Sequence, residues 1–122
     1  MEVSVKRKKF ECTHPLRFSW HARSLSLPSR SILTPGQVIE ILNRQLVVPL
    51  GIEHGKLHHE LFYSIPDEDW FVAVINRKIN EIVTILTLEY HRRWEISDDA
   101  KEMAREIAIS GKANVPDFTI TA

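Results

Sequence analysis

Hydrophobic and polar positions change their period several times along this chain, and the changes mark its elements. In TPGQVIEILNRQL, residues 34–46, Val38, Ile41 and Leu42 fall on one helical stripe. Thr34 stands at the N-cap, Pro35 at the first helical position and Gln37 three residues after the cap, a set that satisfies the free N–H groups of a helix start. SDDAKEMAREIAIS, residues 97–110, predicts a second helix. Ser97 caps it, Asp98 and Asp99 sit in its positive first turn, Met103, Ala104, Ile107 and Ala108 form its stripe, and Gly111 follows its end.

Between these helices the period drops to two. VVPLGIEHGK, residues 47–56, is where the pattern turns from helical to extended, and three strands follow as a meander: HELFYSI, WFVAVIN and EIVTILTLEY. Pro66 to Asp69 supply the first turn and Asn76 to Asn80 the second. In the third strand Ile82, Thr84, Leu86 and Leu88 alternate with Val83, Ile85, Thr87 and Glu89, so both faces are largely apolar and the strand is expected to be covered on each side. At the N-terminus, Val3 and Val5 precede basic residues over 3–10, an edge strand whose lysines would discourage further pairing. In SWHARSLSLPSRS, residues 19–31, a helical turn begins near His21 and stops before Pro28. The tail ANVPDFTITA reads as a short edge strand or a disordered end. The expected fold class is α+β: a small antiparallel sheet, a three-stranded meander plus edge strands, packed with two or three helices.

The chain has 122 residues, 43% of them hydrophobic, which suits one domain around one modest core. Residues 1–17 and 112–122 are expected to be peripheral to it. The single cysteine, Cys12, excludes an intrachain disulfide, and MEVSVKRKKF lacks the apolar region of a secretory signal, so a cytoplasmic location is expected. No apolar run approaches the roughly 18 residues of a membrane-spanning helix. Neither a P-loop nor a G-x-G-x-x-G is present, and ATP or NAD chemistry is not expected.

Net charge is zero, but it is segregated along the chain. Residues 1–31 hold seven cations (Lys6, Arg7, Lys8, Lys9, Arg17, Arg23, Arg30) against Glu2 and Glu11, whereas residues 34–69 hold six acids against Arg44 and Lys56. Residues 70–94 return to +2 and the remainder carries −3. The basic start is compatible with a local phosphate-binding surface, but a solvated lysine-rich strand end is the commoner explanation.

An HARS…R start, the helix LTPGQVIEIL and then ELFYSI, WFVAVIN and EIVTILTLEYHRRW follow in order. This series resembles a group of small bacterial proteins with a His-Ala-x-x-Arg-like start, related to the RelE-like toxins. The likeness spans roughly residues 18–95. It implies a compact sheet, a metal-independent endoribonuclease without cofactors, and an antitoxin partner laid across the cleft. His21, Ala22 and an arginine cluster match the pattern. Arg30 departs from it, standing further from the histidine than the group's second arginine, with Leu25 to Pro28 intervening.

RNA cleavage without a metal needs a base for the 2′-hydroxyl, an acid for the leaving 5′-oxygen and cations for the phosphorane. Histidine fits the first role and the forked guanidinium of arginine the last. Two segments carry such groups: His21, Arg23 and Arg30, and Tyr90, His91, Arg92 and Arg93 at the exit of the third strand. His21 is expected as general base or phosphate binder, Arg23, Arg30 and Arg92 as electrostatic stabilisers, and Tyr90 or His91 as the acid. Lys6, Arg7, Lys8, Lys9 and Arg93 are expected to bind RNA. The structural reading of the same residues is a capping or half-buried His21, arginines paired with the acidic middle segment, and Tyr90 and Trp94 as core rim.

His54, His58, His59 and Glu60 suggest a metal site, but Gly51 and Gly55 argue against the helix that would align His54 with His58. In an extended chain His58 and His59 face opposite ways, so a histidine-rich loop entering a strand is expected and no metal. Cys12 and His14 fall in an extended segment that would align them only by chance, so no nucleophilic cysteine is expected. The competing function is a non-catalytic interaction module, of mobile-element or phage type, that binds a protein or nucleic acid; zero net charge favours it.

Overall fold

The computed structural model describes residues 14–113. The basic residues Lys6, Arg7, Lys8 and Lys9, the strand predicted over residues 3–10, Cys12, and residues 114–122 lie outside that range. Five strands form one sheet: β1 Arg17–Phe18, β2 Val48–Glu53, β3 Leu57–Ser64, β4 Asp69–Asn76 and β5 Glu81–Thr87, in the order β1-β5-β4-β3-β2. The sheet is antiparallel from β2 to β5, and β1 adds to β5 in parallel. A π-helical turn at Ala22–Ser26 leads into α1, Leu27–Arg30, and α2, Pro35–Asn43, follows. The last helix, α3, spans Asp98–Ser110.

The fold is thus α+β as the periodicity implied, with additions. The meander has four strands instead of three, because VPLGIE pairs with β3 despite Pro49 and Gly51. The pairing slips between Pro49 and Gly51, so Leu50 is the extra residue of a bulge. The segment around Pro28 also differs. The Leu27 N–H donates to the Ala22 carbonyl five residues back, and the helix runs through Pro28 instead of stopping before it. A wider turn gives room to a ring that would clash with the carbonyl four residues back, and proline has no N–H to leave orphaned. At the other end β5 stops at Thr87, and Leu88 to Tyr90 form a turn.

Both predicted caps form. Thr34 Oγ1 accepts from the Gln37 N–H at 3.2 Å while Gln37 Oε1 accepts from the Thr34 N–H at 2.8 Å, and Ser97 Oγ accepts from the Ala100 N–H at 3.1 Å. Gly111 ends α3 with φ of 72°, a left-handed conformation that suits glycine. The PDED turn is fixed by Asp67, whose carboxylate accepts from the hydroxyls of Ser31 and Ser64, each at 2.6 Å, and from the Ile32 N–H at 3.1 Å.

Side chains alternate between two cores. On one face Phe62, Phe71, Ala73, Ile75, Ile82 and Ile85 pack against Leu27, Val38 and Leu42 of α1 and α2. On the other, Leu61, Val72 and Val74 pack with Leu46, Val48 and with Ala104 and Ile107 of α3. Helix α3 lies mainly on β3, near Trp70, whose indole N–H donates to the Lys101 carbonyl at 2.8 Å. The His59 and Thr84 end of this face is covered by the irregular segment that follows β5.

SWHARSLSLPSRS runs along the outer edge of β5. The Ser19 N–H donates to the Ile82 carbonyl at 2.9 Å and Ser19 Oγ to the Val83 carbonyl at 3.0 Å. Ser26 Oγ accepts from the Ile85 N–H at 3.0 Å, and Arg30 Nη1 donates to the Ile85 carbonyl at 2.6 Å. Serines and an arginine thus take the place of a full neighbouring strand.

Candidate active site

Glu53 ends β2 and His59 lies on β3. Their strands are joined by a tight turn in which His54 and Gly55 have φ of 55° and 70° and the Lys56 N–H donates to the Glu53 carbonyl at 3.2 Å. Gly51 pairs with His59 in the register, so Glu53, two residues on, is a diagonal neighbour of His59 on the same face. Glu53 Oε1 lies 3.0 Å from His59 Nε2. After β5 the Tyr90 and His91 N–H groups both donate to the Thr87 carbonyl, at 3.0 and 3.1 Å. That turn swings His91 back over the sheet, where its Nε2 lies 3.0 Å from His59 Nδ1.

Glu53, His59 and His91 therefore form a hydrogen-bonded row. A carboxylate only accepts, so His59 Nε2 carries the proton facing Glu53; with both rings neutral, His59 Nδ1 accepts from His91 Nε2, and the His91 lone pair stands on Nδ1. Nδ1 of His91 is buried, and no partner meets it at ordinary hydrogen-bond geometry. The pKa of His91 is lowered, chiefly by burial and then by the charge of His59, against the raising influence of a looser hydrogen bond with the Trp94 backbone and of Glu53. Glu53 is also held below its ordinary value: burial would raise it, but the His59 hydrogen bond and the nearby Arg93 charge outweigh that.

Trp94 closes the row from above. Its ring meets His59 edge-on, with centroids 4.7 Å apart, and is tilted against His91 at 5.8 Å. A Cβ on Gly51 would stand 3.1 Å from two atoms of that indole, so the absence of a side chain lets the ring approach. Arg93 Nε meets the second Glu53 oxygen at 2.6 Å. Beside these groups opens a surface cavity of about 380 Å³ with Val74, Thr84 and Leu86 in its lining and Tyr90, His91 and Arg92 at its polar side. Among the described residues Arg92 has no hydrogen-bond or ion-pair partner, and its side chain is exposed.

The structure divides the residues singled out in the sequence. Tyr90, His91, Arg92 and Arg93 share one cavity. His21 and Arg23 are exposed on the turn before α1, and among the described residues no hydrogen bond, ion pair or ring contact joins them to that cavity. Arg30 is the link between the two segments: its guanidinium lies 4.9 Å from the centroid of the Tyr90 ring. Glu53 and His59 complete the row without having been assigned to it. A carboxylate and a histidine flanking His-Gly on a hairpin was the available signal, but it needed the register to be read.

His58, adjacent to His59, projects to the opposite face. Burial lowers its pKa to about 4, helped by the charge of Arg77 and of His59. Arg77 itself pairs with Glu60 at 3.3 Å on that side. Among the described residues no three His, Cys, Asp or Glu side chains converge as a metal site; Glu53, His59 and His91 are strung in line instead. No described helix is long and apolar enough to cross a membrane. Comparison of the chain with family models, with curated proteins and with solved structures gives no match.

Proposed function

We propose that this protein is a metal-independent endoribonuclease of the RelE-like toxin kind, acting at the Tyr90–Arg93 cavity. The observation that carries the reading is the Glu53–His59–His91 row, which ends on a buried imidazole nitrogen behind a cavity that also presents Arg92. His91, neutral near pH 7 because its pKa is lowered, takes the 2′-hydroxyl proton on Nδ1. As it becomes cationic its Nε2–H stays bonded to His59, which in turn donates to the Glu53 carboxylate, so the new charge is stabilised through the row. The 2′-oxygen bonds to phosphorus and the bond from phosphorus to the 5′-oxygen breaks, leaving a 2′,3′-cyclic phosphate. The departing oxygen takes the proton of the Tyr90 hydroxyl, and Arg92 neutralises the phosphorane. Glu53 and His59 are positioning residues. Substrate reaches the buried Nδ1 when the exposed indole of Trp94 moves aside while Tyr90 and His91 keep their places.

The test is incubation with end-labelled single-stranded RNA in a chelator, for the wild type, His91→Ala and Arg92→Ala. Cleavage to a cyclic phosphate that falls at least a hundredfold in both variants is expected, in the range of a lost general base. Equal cleavage by all three, or intact RNA with each, overturns the reading. The same null result is what a non-catalytic interaction module would give. That alternative draws on Trp20, Leu25 and Ile32, large apolar side chains exposed within one short segment.

A further inference from the structure

We infer that the ring of Tyr90 is a stacking platform for one unpaired nucleobase, which makes the substrate single-stranded and the recognition tolerant of sequence. The inference rests on the reading above, since it places RNA in the same cavity. Tyr90 is 56% exposed although it borders the cavity, and burial in the core does not account for it. One face of the ring is backed by the Arg30 guanidinium at 4.9 Å. That guanidinium is itself anchored, because Nη1 donates to the Ile85 carbonyl at 2.6 Å. A tyrosine held from behind in this way has its rotamer fixed before any ligand arrives, and its free surface is the opposite face and the hydroxyl.

The neighbourhood has the rest of what a nucleotide requires. Val74, Thr84 and Leu86 line the cavity beside the ring, and Arg92, without a hydrogen-bond or ion-pair partner among the described residues, offers a cation for the phosphate. Stacking on an aromatic ring discriminates poorly among bases, because each has a π-face. A base in a duplex is already stacked on both sides, so it would have to be extruded first. Arg30 is the positioning residue of this platform, which gives the polar segment before α2 a part in binding without contact between His21 and the cavity.

The experiment is fluorescence anisotropy with a labelled 2′-O-methyl oligoadenylate of eight nucleotides, which cannot be cleaved because it has no free 2′-hydroxyl. Wild type is compared with Tyr90→Phe, Tyr90→Ala and Arg30→Met, and the same strand is offered annealed to its complement and with every position abasic. Tyr90→Phe is expected to bind like wild type while losing cleavage of ordinary RNA. Tyr90→Ala is expected to bind about tenfold more weakly or worse, the range of one lost base stack. Arg30→Met should weaken the single strand more than it weakens the abasic one, a difference that loss of charge alone would not produce. The duplex should compete poorly. Unchanged binding by Tyr90→Ala, or a duplex that binds as well as the strand, overturns the platform and leaves the ribonuclease reading standing. A wild type that binds no oligonucleotide overturns both.

Discussion

Gly51 shows how much the cavity depends on a single missing atom. The indole of Trp94 occupies the space a Cβ would take, at 3.1 Å, and a rigid ring cannot fold away as a lysine could. Trp94 in turn packs on both His59 and His91. Gly51→Ala is therefore expected to lower stability by about 1 kcal/mol, an overpacking cost, and to shift the imidazole resonances of His59 and His91 in a proton–nitrogen NMR spectrum. Unchanged imidazole resonances would show that Trp94 does not hold the row. At this scale the sequence was half legible. YHRRW announces itself by clustering, and Tyr90, His91, Arg92 and Arg93 do share a cavity. Glu53 does not announce itself, because its partner His59 is reached diagonally across a hairpin and no local motif records that. His21 and Arg23 cluster as visibly as His91 does, yet they remain exposed outside the cavity, so clustering alone does not decide which polar residues meet.

At the scale of elements, the unusual feature is the outer edge of β5. A two-residue strand pairs with it, and side chains of the following segment satisfy what the strand leaves open. Ser26 is the buried member of that set: its oxygen accepts from the Ile85 N–H and its hydroxyl points to the Ala22 carbonyl at 3.4 Å. Ser26→Ala leaves a buried N–H without a partner, and a loss of roughly 1–3 kcal/mol is expected. Chemical denaturation checks the loss, and faster amide exchange at Ile85 locates it; slow exchange at Ile85 in the variant would mean that another group seals the edge. The two helices with stripes and caps were legible because capping and amphipathic spacing are local. β2 was hidden because Pro49, Gly51 and a bulge break the alternation by which a strand is recognised. The π-turn was hidden because Pro28 ordinarily ends a helix, and only the wider hydrogen-bond ring lets the chain continue.

For the whole molecule, folding brings stretches far apart in the chain together among the described residues. Glu53, from the acidic middle, meets Arg93, and Asp67 ties the turn after β3 to Ser31 and Ile32 at the end of the basic segment. What remains is a sheet with a depressed-pKa histidine on each face: His91 over one, His58 on the other. Both resist protonation in the fold, whereas in the unfolded chain they bind a proton near the ordinary value of about 6.5. The unfolded state therefore binds more protons over this range, and stability must fall as pH falls. For His58 the window runs from about 6.5 down to its folded value of about 4. Glu53, whose folded pKa is lowered from 4.5, adds its loss only below that pH, as the carboxylate protonates. The urea midpoint is thus expected to be highest near pH 7, to decline from pH 6.5 to 4, and to decline further in stronger acid. One histidine contributes at most about 1.4 kcal/mol per pH unit, which urea titrations at half-unit steps resolve. His58→Gln should make the first window shallower, with His91 still contributing to it, and leave the second, because Glu53 stays in place. A midpoint that stays level from pH 7 to 5 in the wild type, or a variant that parallels it, would show that burial does not suppress the charge of His58.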